Sequence, residues 1–172
     1  WQHEPAMPPT YPTLSLPAIL FAHRGARAHA PENTLEAFRL AVRLGATGLE
    51  SDVWRTADGA AVLDHDGVVG RRFGRKSAIC DLRRDQLPAH IPELAELLDR
   101  CGTRYHLSLD LKDPSAGQRT SDVVAEAAAD MLPRVWLCHP QWETLRQGSR
   151  SFLQPWEPVW SPDELSPAAY AR

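Results

Sequence analysis

No apolar run in this 172-residue chain approaches the roughly 20 residues needed to cross a bilayer, so no transmembrane segment is expected. The chain also lacks the positive excess that draws a protein to nucleic acid or to an anionic membrane. Its formal net charge is −3, so nucleic acid is not an expected partner and any recognition of phosphate must be local. Cysteine is scarce and unpatterned: Cys80, Cys101 and Cys138 lie far apart, with no CxxC pair and an odd total. That reads as reduced thiols in a cytoplasmic protein, with Cys101 filling a helix face; a secreted protein without a disulfide is the alternative. The first residue is Trp1, and no basic start followed by an apolar stretch marks a signal peptide. Met7 is the expected natural start. Pro5, Pro8, Pro9, Pro12 and Pro17 argue against helix or central strand in a leader over residues 1–17.

What remains is ordinary material for one globular domain, 43% hydrophobic and 24% charged, long enough to bury a substantial core. From residue 18 the pattern alternates between two periods. Ala18 to Ala22 (AILFA) is a short, nearly continuous apolar run, as in a strand buried on both faces. A helix follows, with Asn33 as the expected N-cap, Glu36 three residues on, a stripe of Leu35, Phe38, Ala41 and Val42, and Gly45 to end it. Gly48 to Trp54 and Ala60 to Leu63 read as the second and third strands, joined by a tight turn at Asp58-Gly59. Pro92 opens a helix carrying Leu94, Leu97, Leu98 and Cys101, closed by Gly102. Tyr105 to Leu111 alternates as a fourth strand, an Ala-rich helix is expected from about Ser121 to Met131, and Arg134 to Cys138 is a fifth strand. The connection GVVGRRFGRKSAICDL reads as a short basic rim. Strand-helix alternation argues for a parallel sheet or a (β/α) barrel. After Gly148 the rhythm fails, and residues 148–172 form a Pro- and Trp-containing tail.

Parallel α/β folds place ligands beyond the C-terminal ends of their strands. Those ends carry His23 and Arg24, then Glu50 and Asp52, then His65 and Asp66, then Asp110 and Lys112. In a strand, residues two apart share a face, so Glu50 and Asp52 point together, as do Asp110 and Lys112. Two neighbouring buried carboxylates are costly without a counter-ion, and a divalent cation resolves that cost. All-oxygen ligation favours Mg²⁺ or Ca²⁺. An isolated ExD is more often a solvated turn or strand edge, and a lone histidine is more often a packed or surface residue. His3, His29, His90, His106 and His139 take that plainer reading. His23 and His65 each close an apolar strand beside the expected metal mouth, where imidazole can act as acid or base near neutral pH. Asp66 is expected to cap or orient.

In order and spacing, HRG, PENTLEAF, GLESDV, DG-AAVLDHD and LSLDLKD resemble the glycerophosphodiester phosphodiesterases from about residue 19 to 147. The resemblance implies a TIM (β/α)8-type barrel that hydrolyses small-molecule glycerophosphodiesters to an alcohol and glycerol 3-phosphate with a divalent metal. It implies that His23 and His65 are the acid-base pair, that Glu50, Asp52 and Asp110 are metal ligands, that Arg24 and Lys112 hold the phosphate, and that Glu32 braces the site by pairing Arg24. Many family members carry Glu where this chain has Asp110; Asp as the third ligand resembles the related sphingomyelinase D and lysophospholipase D group, which is one alternative reading. A barrel typically needs about 250 residues and eight strands, whereas about five strands are recognisable here over residues 18–147. The barrel is therefore expected to be incomplete at the C-terminus, and an open barrel would favour self-association or a non-catalytic fragment as a further alternative.

Overall fold

Strand β2 (Gly48–Arg55) lies at the centre of the sheet and pairs with three other strands. It pairs in parallel with β1 (Phe21–His23) on one side and with β6 (His106–Leu111) on the other. In this computed structural model, which describes residues 18–70, 74 and 76–139, β6 pairs in turn with β7 (Val135–Cys138), again in parallel. The order β1-β2-β6-β7 is sequential among parallel strands, as in an arc of a (β/α) barrel. The leader over residues 1–17 and the tail over 148–172 lie outside the described residues.

Helices α1 (Leu35–Arg43), α2 (Leu94–Cys101) and α3 (Ala116–Ala128) occupy the crossovers, and each packs on the next. The stripe expected on the first helix is the buried one: Phe38 and Ala41 are enclosed, with Leu35 and Val42 packed against them. Leu94, Leu97 and Leu98 of α2 meet Leu49, Val53, Leu107 and Leu109 from the sheet in one continuous core. Among the described residues, no helix is long and apolar enough to cross a membrane.

The third strand, β3 (Ala61–Leu63), is antiparallel to β2, as the tight turn at Asp58-Gly59 requires, and Leu63 faces Val53. Three local expectations differ from the structure. The basic connection contains a hairpin, β4 (Val68–Gly70) with β5 (Lys76–Ala78), over a separate small core of Val62, Val69, Ile79, Leu82, Leu87 and Ile91. Helix α3 begins five residues earlier than expected, after a turn in which both carboxylate oxygens of Asp113 accept from Ser115. It ends at Ala128, and the chain tightens into a 3₁₀ turn through Ala129–Arg134, where Pro133 lacks the N–H an α-helix needs. Finally, α1 is capped by Thr34 and not by Asn33: the Ala37 N–H donates to Thr34 Oγ1 at 3.2 Å.

Candidate active site

The chain leaves β1 at His23 and turns at once. Arg24 takes the left-handed conformation, with φ of 56°, and Gly25 follows with φ of 79°. A Cβ on Gly25 would stand 2.7 Å from the carbonyl carbon of Ala37, so glycine is required both by conformation and by the close approach of α1. The turn aims the Arg24 N–H at Glu50, 3.0 Å from its backbone carbonyl and 3.0 Å from its carboxylate Oε2. The guanidinium bonds Glu32 Oε1 at 3.1 Å, the brace expected from the sequence, and its Nε lies 3.4 Å from Asp52 Oδ2.

Strand register does the rest. His23 is the lateral partner of Glu50, and Asp52 is the lateral partner of Asp110. One ligand atom from each of Glu50, Asp52 and Asp110 can be chosen so that all lie within 4.8 Å of one another. Two oxygens bound at about 2.3–2.5 Å to one cation stand at most about 5 Å apart, so the three carboxylates could hold a hard divalent cation. Asp52 is 2% exposed. Lys112 Nζ reaches its Oδ1 at 3.0 Å and Asp110 Oδ2 at 3.2 Å, so one ammonium spans two of the three carboxylates. Burial pulls that ammonium's pKa down, but the hydrogen bonds it donates to both carboxylates, together with their charges, outweigh it and the net direction is upward. Glu50 moves above the ordinary carboxylate range because burial disfavours its charge, opposed by the Arg24 N–H and by His23, whose Nε2 is 3.6 Å away.

His65 follows β3, which returns antiparallel to β2, with the Asp64 N–H bonded to the Asp52 carbonyl. The Gly67 N–H closes the loop on Asp64 Oδ2 at 2.7 Å. Asp66 Oδ1 lies 2.7 Å from His65 Nδ1, so Asp66 orients that ring. Beside the carboxylates, a pocket of about 400 Å³ is lined by Asp110, Leu111, Lys112, Cys138 and His139, a volume suited to a small ligand.

One residue of the site was missed from sequence. Asn33, expected to cap the helix, is buried with φ of 54° and turns its side chain to β2. Its Nδ2 donates to Asp52 Oδ2 at 3.3 Å and its Oδ1 accepts from Ser51 Oγ at 2.8 Å.

The profile of the Glycerophosphoryl diester phosphodiesterase family matches residues 23–135. The mouse protein named Glycerophosphodiester phosphodiesterase 1 is 39% identical over 104 residues, covering 51% of this chain and 31% of that protein. A glycerophosphodiester phosphodiesterase of Caldanaerobacter subterraneus is 39% identical over 69 residues, or 40% of this chain and 28% of that protein. Among solved structures, a glycerophosphodiester phosphodiesterase from Thermotoga maritima superposes with a TM-score of 0.67 at 26% identity, covering 77% of this chain and 58% of that one. The chain thus spans less than a third of those two curated relatives, and the residues matched by the family profile include His23, Arg24, Glu50, Asp52, His65, Asp110 and Lys112. Fold and profile agree: the chain belongs to the glycerophosphoryl diester phosphodiesterase family.

Proposed function

We propose that this chain carries the metal-dependent site of a glycerophosphodiester phosphodiesterase, which cleaves a small-molecule glycerophosphodiester to an alcohol and glycerol 3-phosphate. The observation that carries the reading is the convergence of Glu50, Asp52 and Asp110 within 4.8 Å, with Lys112 against two of them. The three carboxylates would hold Mg²⁺ or Ca²⁺, and the bound cation would draw charge from the phosphate oxygens as it builds up in the transition state.

The chain's own groups divide the remaining work. Arg24, braced by Glu32, and Lys112 hold the phosphate and share its developing charge. One histidine of the pair His23 and His65 accepts the proton of the attacking hydroxyl, either the neighbouring glycerol hydroxyl or water. The other gives a proton to the alkoxide that leaves as the phosphorus–oxygen bond breaks. If the glycerol hydroxyl attacks, a cyclic phosphate forms and water then opens it with the two histidines in reversed roles. For His65, the contact of Nδ1 with Asp66 favours the tautomer that leaves a lone pair on Nε2, the form suited to accepting a proton.

The test is release of glycerol 3-phosphate from glycerophosphocholine, followed by a coupled dehydrogenase assay on the chain and on Asp110→Asn. Turnover in the parent and its loss in Asp110→Asn, with folding intact, supports the reading. Equal turnover in both removes Asp110 from the site.

A further inference from the structure

We propose that Asn33 is a positioning residue for the metal-ligating carboxylate of Asp52, with Ser51 as the group that satisfies and anchors the other end of its amide. The inference rests on the metal reading above and extends it to a side chain that touches neither substrate nor ion.

Three observations lead there. First, Asn33 is relieved of the helix-capping role: Thr34 accepts the Ala37 N–H, and its hydroxyl donates to the Pro31 carbonyl at 2.6 Å. Second, Asn33 holds a left-handed backbone while 4% exposed. That conformation costs a non-glycine residue free energy, less for Asn than for most, and persists where neighbours enforce it. Here its N–H is bonded to the Arg24 carbonyl at 3.1 Å, so the two left-handed non-glycine residues are tied together. Arg24 reaches Glu50 through its backbone N–H, and Asn33 reaches Asp52 through its side chain.

Third, the chemistry of the amide allows one direction only. A flipped Asn33 would point its carbonyl oxygen at the Asp52 carboxylate, two acceptors face to face. In the observed direction, Nδ2–H meets the carboxylate and Oδ1 accepts the Ser51 hydroxyl proton. The acceptor-only carboxylate of Asp52 therefore selects the orientation, and Ser51, itself fully buried, supplies the donor that Oδ1 then needs. Aspartate at position 33 would tolerate the backbone but replace the donor with a third acceptor. Alanine would lose the amide and also carry the strain. Glycine keeps the left-handed backbone and deletes the amide, which separates the two roles.

Outer groups that orient a ligating carboxylate typically change metal affinity about 10- to 100-fold when removed. The experiment is calorimetric titration of Ca²⁺ and of Mg²⁺ into the full chain, Asn33→Gly and Ser51→Ala, with thermal unfolding of each metal-free protein alongside. The expected result is a Kd about 10-fold or more weaker in Asn33→Gly, a smaller weakening in Ser51→Ala, and metal-free unfolding temperatures close to the parent for any variant so affected. Binding in both variants equal to the parent would overturn the proposal. So would weakening that only tracks loss of the metal-free fold. Should Asn33→Gly fail to fold, Ser51→Ala decides alone. If the parent binds neither ion, the metal reading itself falls, a result distinct from equal binding in parent and variants.

Discussion

Arg24 and Glu50 are joined twice through a single N–H, which lies 3.0 Å from the Glu50 carbonyl oxygen and 3.0 Å from its carboxylate. The first contact continues the strand pairing of β1 with β2, and the second orients a candidate metal ligand. A left-handed residue at the end of β1 thus sets a carboxylate on the next strand, and only glycine can follow it under α1.

That close approach makes Gly25→Ala one of the most damaging small substitutions. The added Cβ would meet the Ala37 backbone at 2.7 Å in a conformation with φ of 79°. Strain and overpacking together should cost about 2–4 kcal/mol. Urea unfolding measures it, and a loss below about 1 kcal/mol would mean that α1 moves aside freely.

The helix start makes a second, milder test. With Thr34 as the cap, Thr34→Ala should cost about 1 kcal/mol and Thr34→Ser little. A larger cost from Asn33→Ser than from Thr34→Ala, at equal burial of the helix stripe, fits a residue tied to β2; the reverse order would return Asn33 to a capping role.

Chemistry is probed at His23. If it moves a proton in the reaction, His23→Ala should lower kcat by about 10²–10⁴ with a folded chain. Its only close charged partner among the described residues is Glu50 at 3.6 Å, and its side chain is 55% exposed, so stability should change little. An unchanged kcat would remove His23 from the acid-base pair.

Stability should fall on the alkaline side. Burial pushes the Cys101 thiol up to about 11, from an ordinary 9.0, and raises the Tyr105 phenol as well. Between the ordinary and raised values the unfolded chain holds fewer protons than the folded one, so unfolding free energy declines as pH rises. The contribution is whole below pH 9.0 and is lost through about 11. Thermal unfolding from pH 7 to 11 reads this directly; Cys101→Ala should flatten the first part of the decline, and an unaltered slope would contradict the burial of that thiol.

Much of this site could be read from the sequence because strands have a period of two. Glu50 and Asp52, and Asp110 and Lys112, declared themselves by spacing, and the parallel register of β2 with β6 then set Asp52 beside Asp110. The apolar stripes of α1 and α2 were legible for the same reason at helical spacing. Asn33 was not, since an Asn before an apolar helix reads as a cap, and only the extra turn residue moves the cap to Thr34. The β4–β5 hairpin was hidden because its strands are three residues each, too short for a period to show. The return of β3 was legible in the tight Asp58-Gly59 turn, where Thr56 Oγ1 donates to Asp58 Oδ1 at 2.6 Å and receives the Ala60 N–H at 2.8 Å.

The most direct test of the account is turnover of glycerophosphocholine by the purified chain with Mg²⁺ or Ca²⁺, then with chelator, then with metal restored. The account expects glycerol 3-phosphate to appear with metal, to cease in chelator and to resume on restoration. Turnover that persists at full rate in chelator, or a folded chain inactive with either ion, would contradict it.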